Sequence, residues 1–443
     1  MSTTTPPTTT APTWGSRLTG VEGLRAIACT LVLIGHVQWM GHAEPYSAGR
    51  FTALLWAFTP TGLILFFVLS GFLLYRPFAS SIVLGYAFPE PRRFLVNRFW
   101  RIAPAYVAIL VAVGLVLGLA VTSADALFVG GSTGQATDMG GAIGRLDDPG
   151  LIVANLLLIQ NYHPDGVLTG IGPAWTLGVE VAFYLTLPVL AVAAARLGRG
   201  RRLRDRVLAS LVPAAILLGL GLAGKGLAAA TASAGTDPRD QWGQTWHAVL
   251  ERSFLTWADM FAFGMVAAVV VTLVREGRLQ RLQVRHVTRV TVGSATVMLA
   301  VLSSVRLPET VQSVLLAAVL AGVVLAVGMP SASPTRSRRA LDWRPVVYVG
   351  VVSYSVYLWH MPIIGLVRRY DLSLAGRPGF IVTVMMVFTL SVAVAAVTYR
   401  YVEGPGLRRK LRPMRAGSVG AGGREAVEEE VRAGQLARIG REV

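Results

Sequence analysis

Long apolar runs alternate with short polar ones along almost the whole chain. One membrane crossing needs about 17 to 25 mostly apolar residues. On that measure the pattern predicts spans near 22–40, 54–75, 102–122, 174–195 and 207–230, then near 254–274, 288–305, 311–329, 346–367 and 380–401. The expected fold is an all-α polytopic transmembrane helix bundle with about ten transmembrane helices. The apolar stretch 151–162 is too short to span and contains Asn155, Gln160 and Asn161, so it reads as a surface or re-entrant segment. Residues 1–16, rich in Thr and Pro and without charge, read as a disordered tail. The membrane domain then covers 17–405. A tail at 406–443 turns Gly-rich after Pro413 and becomes charged around Glu425, Glu428 and Arg432. The first run follows Arg17 and Arg25 and imitates a secretory signal. It lacks a small-residue cleavage site and is interrupted by His36, so it is expected to stay as a helix.

Charge gives the bundle a direction. Lys and Arg gather in alternate loops: Arg92, Arg93, Arg98 and Arg101, then Arg196–Arg206, Arg275–Arg289 and Arg336–Arg344, and finally the tail after Tyr399. The intervening loops hold Asp125, Asp138, Asp147, Asp148, Asp237 and Asp240, with Arg368, Arg369 and Arg377 as one exception. Because cytoplasmic loops collect basic residues, both termini are expected to be cytoplasmic. Composition agrees: 53% of residues are hydrophobic, 15% are charged, and mean hydropathy is +0.56. The net charge of +17 is therefore a topology signal rather than the basic face of a nucleic-acid binder, and the lipid bilayer is the expected partner. Cys29 is the single cysteine, which excludes an intramolecular disulfide. No repeat suggests the two inverted halves of many transporters, and nothing in the pattern sets an oligomeric state.

Ionisable side chains inside spans are costly and raise functional hypotheses. Arg25 and His36 are eleven residues apart on the first helix, which places them within about 20° of one face and roughly 16 Å apart along the axis. A topology anchor and a hydrogen-bonded histidine would give the same pattern, but imidazole is also suited to take a proton from a hydroxyl near neutral pH. The fourth span opens Gly172-Pro173-Ala174-Trp175-Thr176-Leu177-Gly178-Val179-Glu180 and buries a carboxylate on the face it shares with Tyr184. A neutral, hydrogen-bonded Glu180 and a catalytic or histidine-orienting one are both open. Tyr354, Tyr357 and His360 recur at intervals of three in the ninth span, as either a polar stripe or an aromatic packing ridge. Arg98 and Arg101 lie on one face where the third helix begins. They could grip a phosphate, although topology alone also supplies arginines there. The segment Gly219–Lys225 fits most of a phosphate-binding loop, but Gly226 replaces the hydroxyl residue and the run is an apolar helix, so it reads as packing glycine. There is no GxSxG elbow, paired-cysteine metal site or HExxH, and no metal is expected.

These residues resemble the acyltransferase-3 family of membrane O-acyltransferases. The likeness runs over about 20–405. It consists of Gly23-Leu24-Arg25-Ala26 with His36 eleven positions after the arginine, Phe66-Phe67-Val68-Leu69-Ser70-Gly71-Phe72, Arg98-x-x-Arg101 before Pro104, and the Trp175–Tyr184 and Ser353–Pro362 segments. The resemblance implies transfer of an acyl group from cytoplasmic acyl-CoA (acetyl-CoA or a related donor) to a hydroxyl of a sugar, glycan or macrolide acceptor. In that scheme His36 is the general base, Arg25 and Glu180 support it, and Arg98 and Arg101 face the CoA phosphates. His360, Tyr357, Trp175 and Ser70 would contact substrate or shape the site. No permanently bound cofactor is implied, and a multi-pass protein of a bacterial plasma membrane is expected. Many relatives carry an extra SGNH hydrolase-like domain; this chain is expected to act without one. A transporter or flippase using the same buried polar groups, and a receptor or scaffold in which they only specify packing, are the competing readings.

Overall fold

The computed structural model describes residues 18–40, 50–125, 142–232, 241–280, 309–329, 336–374 and 376–409, with residues 286, 289 and 293. Helix α1 (Val21–Met40) and helix α2 (Arg50–Leu84) are followed by α3 (Pro91–Leu110), which continues through a π-helical turn to Val116. A short antiparallel ribbon pairs β1 (Ala120–Val121) with β2 (Ile143–Gly144), and Val121 also bridges Gly170. Helix α4 (Pro149–Leu156) is capped by Asp148, whose side chain accepts from the Leu151 amide at 2.9 Å. Then come α5 (Trp175–Gly198), α6 (Leu203–Thr231), the short α7 (Trp246–Glu251) and α8 (Phe254–Arg275). The chain finishes with α9 (Glu309–Gly328), α10 (Arg336–Leu341), α11 (Arg344–Arg369), α12 (Gly376–Thr398), a π-helical turn at Tyr399–Glu403, and α13 (Gly404–Arg408).

Nine helices among the described residues are long and apolar enough to cross a membrane, and each overlaps a span expected from hydropathy. The expected span at 288–305, apart from residues 289 and 293, and the tails at 1–16 and 410–443 lie outside the described residues. The protein is thus an all-α polytopic helix bundle. Its outward side chains fit that solvent: Leu185, Val189, Ile381, Met385 and Val397 are all exposed, where lipid rather than water would meet them. Hydropathy misplaced two boundaries for one reason. Helix α2 runs on to Leu84 rather than ending near 75, and α3 starts at Pro91 rather than near 102. Both extensions carry polar groups, Arg76, Ser80 and Ser81 in one and four arginines in the other, so their apolar signal fades although the helix does not. The 151–162 stretch is no span, and it turns its polar residues inward: Asn155, Gln160 and Asn161 are buried while Val153, Leu157 and Ile159 are exposed.

Close helix crossings depend on glycine. A Cβ at Gly71 of α2 would strike the Phe261 carbonyl of α8, and one at Gly264 of α8 would strike the Val68 carbonyl of α2. Gly221 and Gly224 of α6 press in the same way on Asp259 and Leu255 of α8, which gives the loop-like Gly219–Lys225 run its packing role. At one end of the bundle the Gly20 amide donates to Asp342 Oδ1 (2.7 Å), Tyr86 donates to Glu276 (3.1 Å), and Arg206 Nε donates to the Ile82 carbonyl (2.8 Å). This is the basic end. At the other end Gln244 gathers three loops, its amide donating to Asp125 Oδ1 (2.7 Å) and its side chain to the Asp165 carbonyl (3.3 Å).

Candidate active site

Helix α1 lies against α2 on one side and α11 on the other. The α1–α11 approach is tight because Gly350 meets the Glu22 carbonyl, and Cys29 Sγ donates to the Ser353 carbonyl at 3.5 Å. Two turns beyond Cys29, toward the end remote from the arginines, that contact brings His36 to His360. The rings are 4.9 Å apart, centroid to centroid, at 63°, and His36 Nδ1 is 3.3 Å from His360 Nε2.

Backbone carbonyls decide which nitrogens carry protons, since a carbonyl only accepts. His360 Nδ1 is 2.6 Å from the Tyr357 carbonyl, so Nδ1 holds its proton and Nε2 presents a lone pair. His36 Nδ1 lies 2.9 Å from the Val32 carbonyl and faces that lone pair, so its proton is also on Nδ1. His36 Nε2 is left as the basic atom. His360 is 1% exposed and His36 partly buried. Helix α11 is fixed here by the Tyr357 hydroxyl, 2.8 Å from Thr176 Oγ1 and 3.1 Å from the Pro173 carbonyl, so the turn that starts α5 holds the residue whose carbonyl orients His360.

A file of polar groups leads from there toward the basic end. Ser70 of α2 donates to Glu180 Oε1 at 2.9 Å, and the Tyr184 hydroxyl lies beside the same carboxylate. Trp175 is not in this file; it packs into an aromatic cluster with Trp257, 5.3 Å away, which also touches Phe67. At the basic end Arg25 pairs with Glu22 at 3.3 Å and lies within electrostatic reach of Arg101, Glu403 and Glu180. Arg25 is therefore near the arginines and not near His36, three helical turns away. Arg101 is bound to Glu403, whose side chain is completely buried and whose second oxygen accepts from Ser355 at 2.9 Å. Arg98 lies against the rings of Phe94 and Tyr184, at 5.9 and 6.0 Å, with a buried Nε that has no hydrogen-bond partner. The structure thus brings together His36, His360 and Tyr357, and separately Arg25, Arg98 and Arg101, with Ser70, Glu180 and Tyr184 between them.

Sequence reasoning missed Glu403 and the ion pair of Lys225 with Asp259, in which Lys225 also donates to the Thr256 carbonyl at 2.7 Å. Asp259 had a signal, a carboxylate five residues into an apolar run. Glu403 had none, because a glutamate at the polar end of a last span is ordinary.

The histidine pair and the arginine–carboxylate cluster lie at two levels of one helix bundle. A family model described as an acyltransferase domain matches residues 18–400. The chain belongs to this family, acyltransferase-3, and is a multi-pass membrane acyltransferase. No curated protein and no solved structure matches it.

Proposed function

We propose that the protein transfers an acyl group from acyl-CoA to a hydroxyl of a sugar-containing or other polar acceptor, with His36 as general base. The observation that carries this is that each Nδ1 of the pair lies within hydrogen-bond distance of a backbone carbonyl, at 2.9 Å for His36 and 2.6 Å for His360; protons assigned to these atoms leave His36 Nε2 with a lone pair inside the bundle. In the reaction the acceptor hydroxyl gives its proton to Nε2 as its oxygen attacks the thioester carbonyl. The C–S bond then breaks, and the departing CoA thiolate takes that proton back. Ester and free CoA result, with atoms and charge balanced. The thioester is already activated, so base catalysis, positioning and stabilisation of the oxyanion suffice without a resident cofactor.

His360 is a positioning residue in this scheme. Its Nε2 lone pair faces His36 Nδ1, and as His36 becomes an imidazolium that contact and the Val32 carbonyl stabilise the charge. Glu180, held by Ser70, adds a negative group along the route. Arg98 offers its unmet buried donor to a CoA phosphate, while Arg101 is steadied by Glu403 and adds positive charge beside it. The basic end is assigned to the cytoplasm of a bacterial plasma membrane, with both termini on that side, so that only the thin pantetheine arm needs to enter the bundle.

The test is acyl transfer by purified protein in nanodiscs, with labelled acyl-CoA and a panel of glycan and glycoside acceptors. His36→Ala should lose roughly 10²–10⁴-fold in rate. A folded His36→Ala protein that acylates at the wild-type rate overturns the base assignment.

A further inference from the structure

We propose that Trp242 is a stacking platform for a sugar ring of the acceptor, an acceptor subsite at the end of the bundle remote from the arginine cluster. This rests on the acyltransferase reading above and names where that reaction's second substrate is held.

The rings form a continuous path from the base to the surface. His36 touches Trp39 edge to face, 6.3 Å between centroids at 66°, and Trp39 meets Trp242 at 5.4 Å and 44°. Trp242 is 36% exposed, so the path ends on an indole that is part buried and part open. Two such ring-to-ring steps separate the reacting nitrogen from the exposed platform, a span that a glycan crosses with neighbouring sugar units.

The platform is built rather than loose. The guanidinium of Arg252 lies 4.1 Å from the centre of the Trp242 ring, and Arg252 is itself 4% exposed. Its Nη1 donates to the Gln241 carbonyl and, at 3.1 Å, to the Ala248 carbonyl, which ties the segment before α7 to α7 itself. Its Nε is buried with no hydrogen-bond partner. Two residues on, Gln244 fastens the same segment to the loops of Asp125 and Asp165, and Thr245 caps α7 by accepting from the Ala248 amide at 3.0 Å.

The chemistry selects a neutral, ring-shaped, hydroxylated ligand. A pyranose has one face of C–H groups that loses water favourably against an indole, and a rim of hydroxyls that needs polar neighbours. Gln244, two residues after Trp242, is bound to Asp125 and to the Asp165 carbonyl, and the side chains of both aspartates are exposed. A cationic headgroup such as choline would also seek an indole face, but the Arg252 guanidinium, 4.1 Å from the ring centre, repels a second positive charge and leaves a neutral ligand unaffected. A tryptophan placed only as an interfacial anchor would need no buried arginine behind it and no ring contact toward His36.

The experiment is saturation-transfer NMR on the full chain in nanodiscs, with four methyl pyranosides (gluco, galacto, manno and N-acetylglucosaminide) and mannitol as the open-chain control. At least one pyranoside should take up saturation on its ring C–H protons, and mannitol should not. Trp242→Ala should weaken that binding about tenfold and Trp242→Phe much less. Trp246→Ala should leave it unchanged, since Trp246 is a more exposed indole packed on His163 and off the path. The proposal is overturned by no transfer to any pyranoside, by equal transfer to mannitol, by unchanged binding in Trp242→Ala, or by equal losses in the Trp242→Ala and Trp246→Ala proteins. Because binding is read without turnover, pyranoside binding through Trp242 with no acylation would sink the acyltransferase reading alone. Acylation with unchanged acceptor KM in Trp242→Ala would sink the subsite alone.

Discussion

A histidine base backed by a carboxylate acquires its proton next to a full negative charge, whereas His36 is backed by the lone pair of a second neutral imidazole. The support is weaker, and a side-chain amide carbonyl can imitate it. His360→Gln, which offers such an acceptor, should keep most of kcat, while His360→Leu should lose about tenfold, some 1.4 kcal/mol of barrier, with KM for acyl-CoA unchanged. Equal loss in the Gln and Leu proteins would show that the position only fills space. Part of this was legible in the sequence. The eleven-residue spacing put Arg25 and His36 on one face, and their partners Glu22 and Val32 are local to the same helix, but His360 is 324 positions away from His36 and is brought to it only by the fold. The stripe of Tyr354, Tyr357 and His360 was legible as a pattern and misleading as a surface. Three residues turn a helix through 300°, so each member is rotated about 60° from the last. They accordingly meet three different neighbours: the Ile102 carbonyl of α3, the Thr176 turn of α5, and His36 of α1.

Between elements, the least legible feature is the Arg101–Glu403 pair, which joins the middle of α3 to the π-helical turn after α12. Removing one member leaves the other charge in a site that excludes water, at a cost of about 3 kcal/mol or more. Glu403→Ala and Arg101→Ala should each lower thermal stability in detergent, and the double variant Arg101→Met/Glu403→Leu should recover much of the loss. A double variant as unstable as the sum of the single ones would show that the two residues do not act as a pair. The helix crossings make a second prediction. Gly224→Ala forces a methyl group into the Leu255 carbonyl and should destabilise the bundle by roughly 1–3 kcal/mol. Gly226→Ser meets nothing within 4 Å and should be neutral. It also completes the phosphate-loop pattern, so ATP binding by Gly226→Ser, read by equilibrium dialysis, would contradict the packing role of this run. Sequence composition already excluded that loop; which helix the glycines press against could not be read without the fold.

For the whole molecule, orientation is the remaining quantity that the mechanism needs, because it decides which side supplies acyl-CoA. The charge alternation predicts the loop of Arg201 in the cytoplasm and the loop of Asp165 outside. Both side chains are exposed, and the single native cysteine, Cys29, is buried, so the wild-type chain is already a quiet background for labelling. In intact cells a membrane-impermeant maleimide should modify Asp165→Cys at once and Arg201→Cys only after permeabilisation. The reverse result would put Arg98 on the outer face, away from the only compartment rich in acyl-CoA, and the donor assignment would fall while the bundle and its histidine pair stood. Positive-inside bias is a statistical force on insertion and not a contact, which is why the sequence carries it so clearly and the folded bundle does not. The depth of the site is read in the opposite way. His36 lies fifteen residues along α1 from Val21, about 22 Å of helix rise against about 30 Å for a hydrocarbon layer. On the proposed reading, a donor entering from the basic end passes Arg98, Tyr184 and Glu180 before its thioester reaches His36.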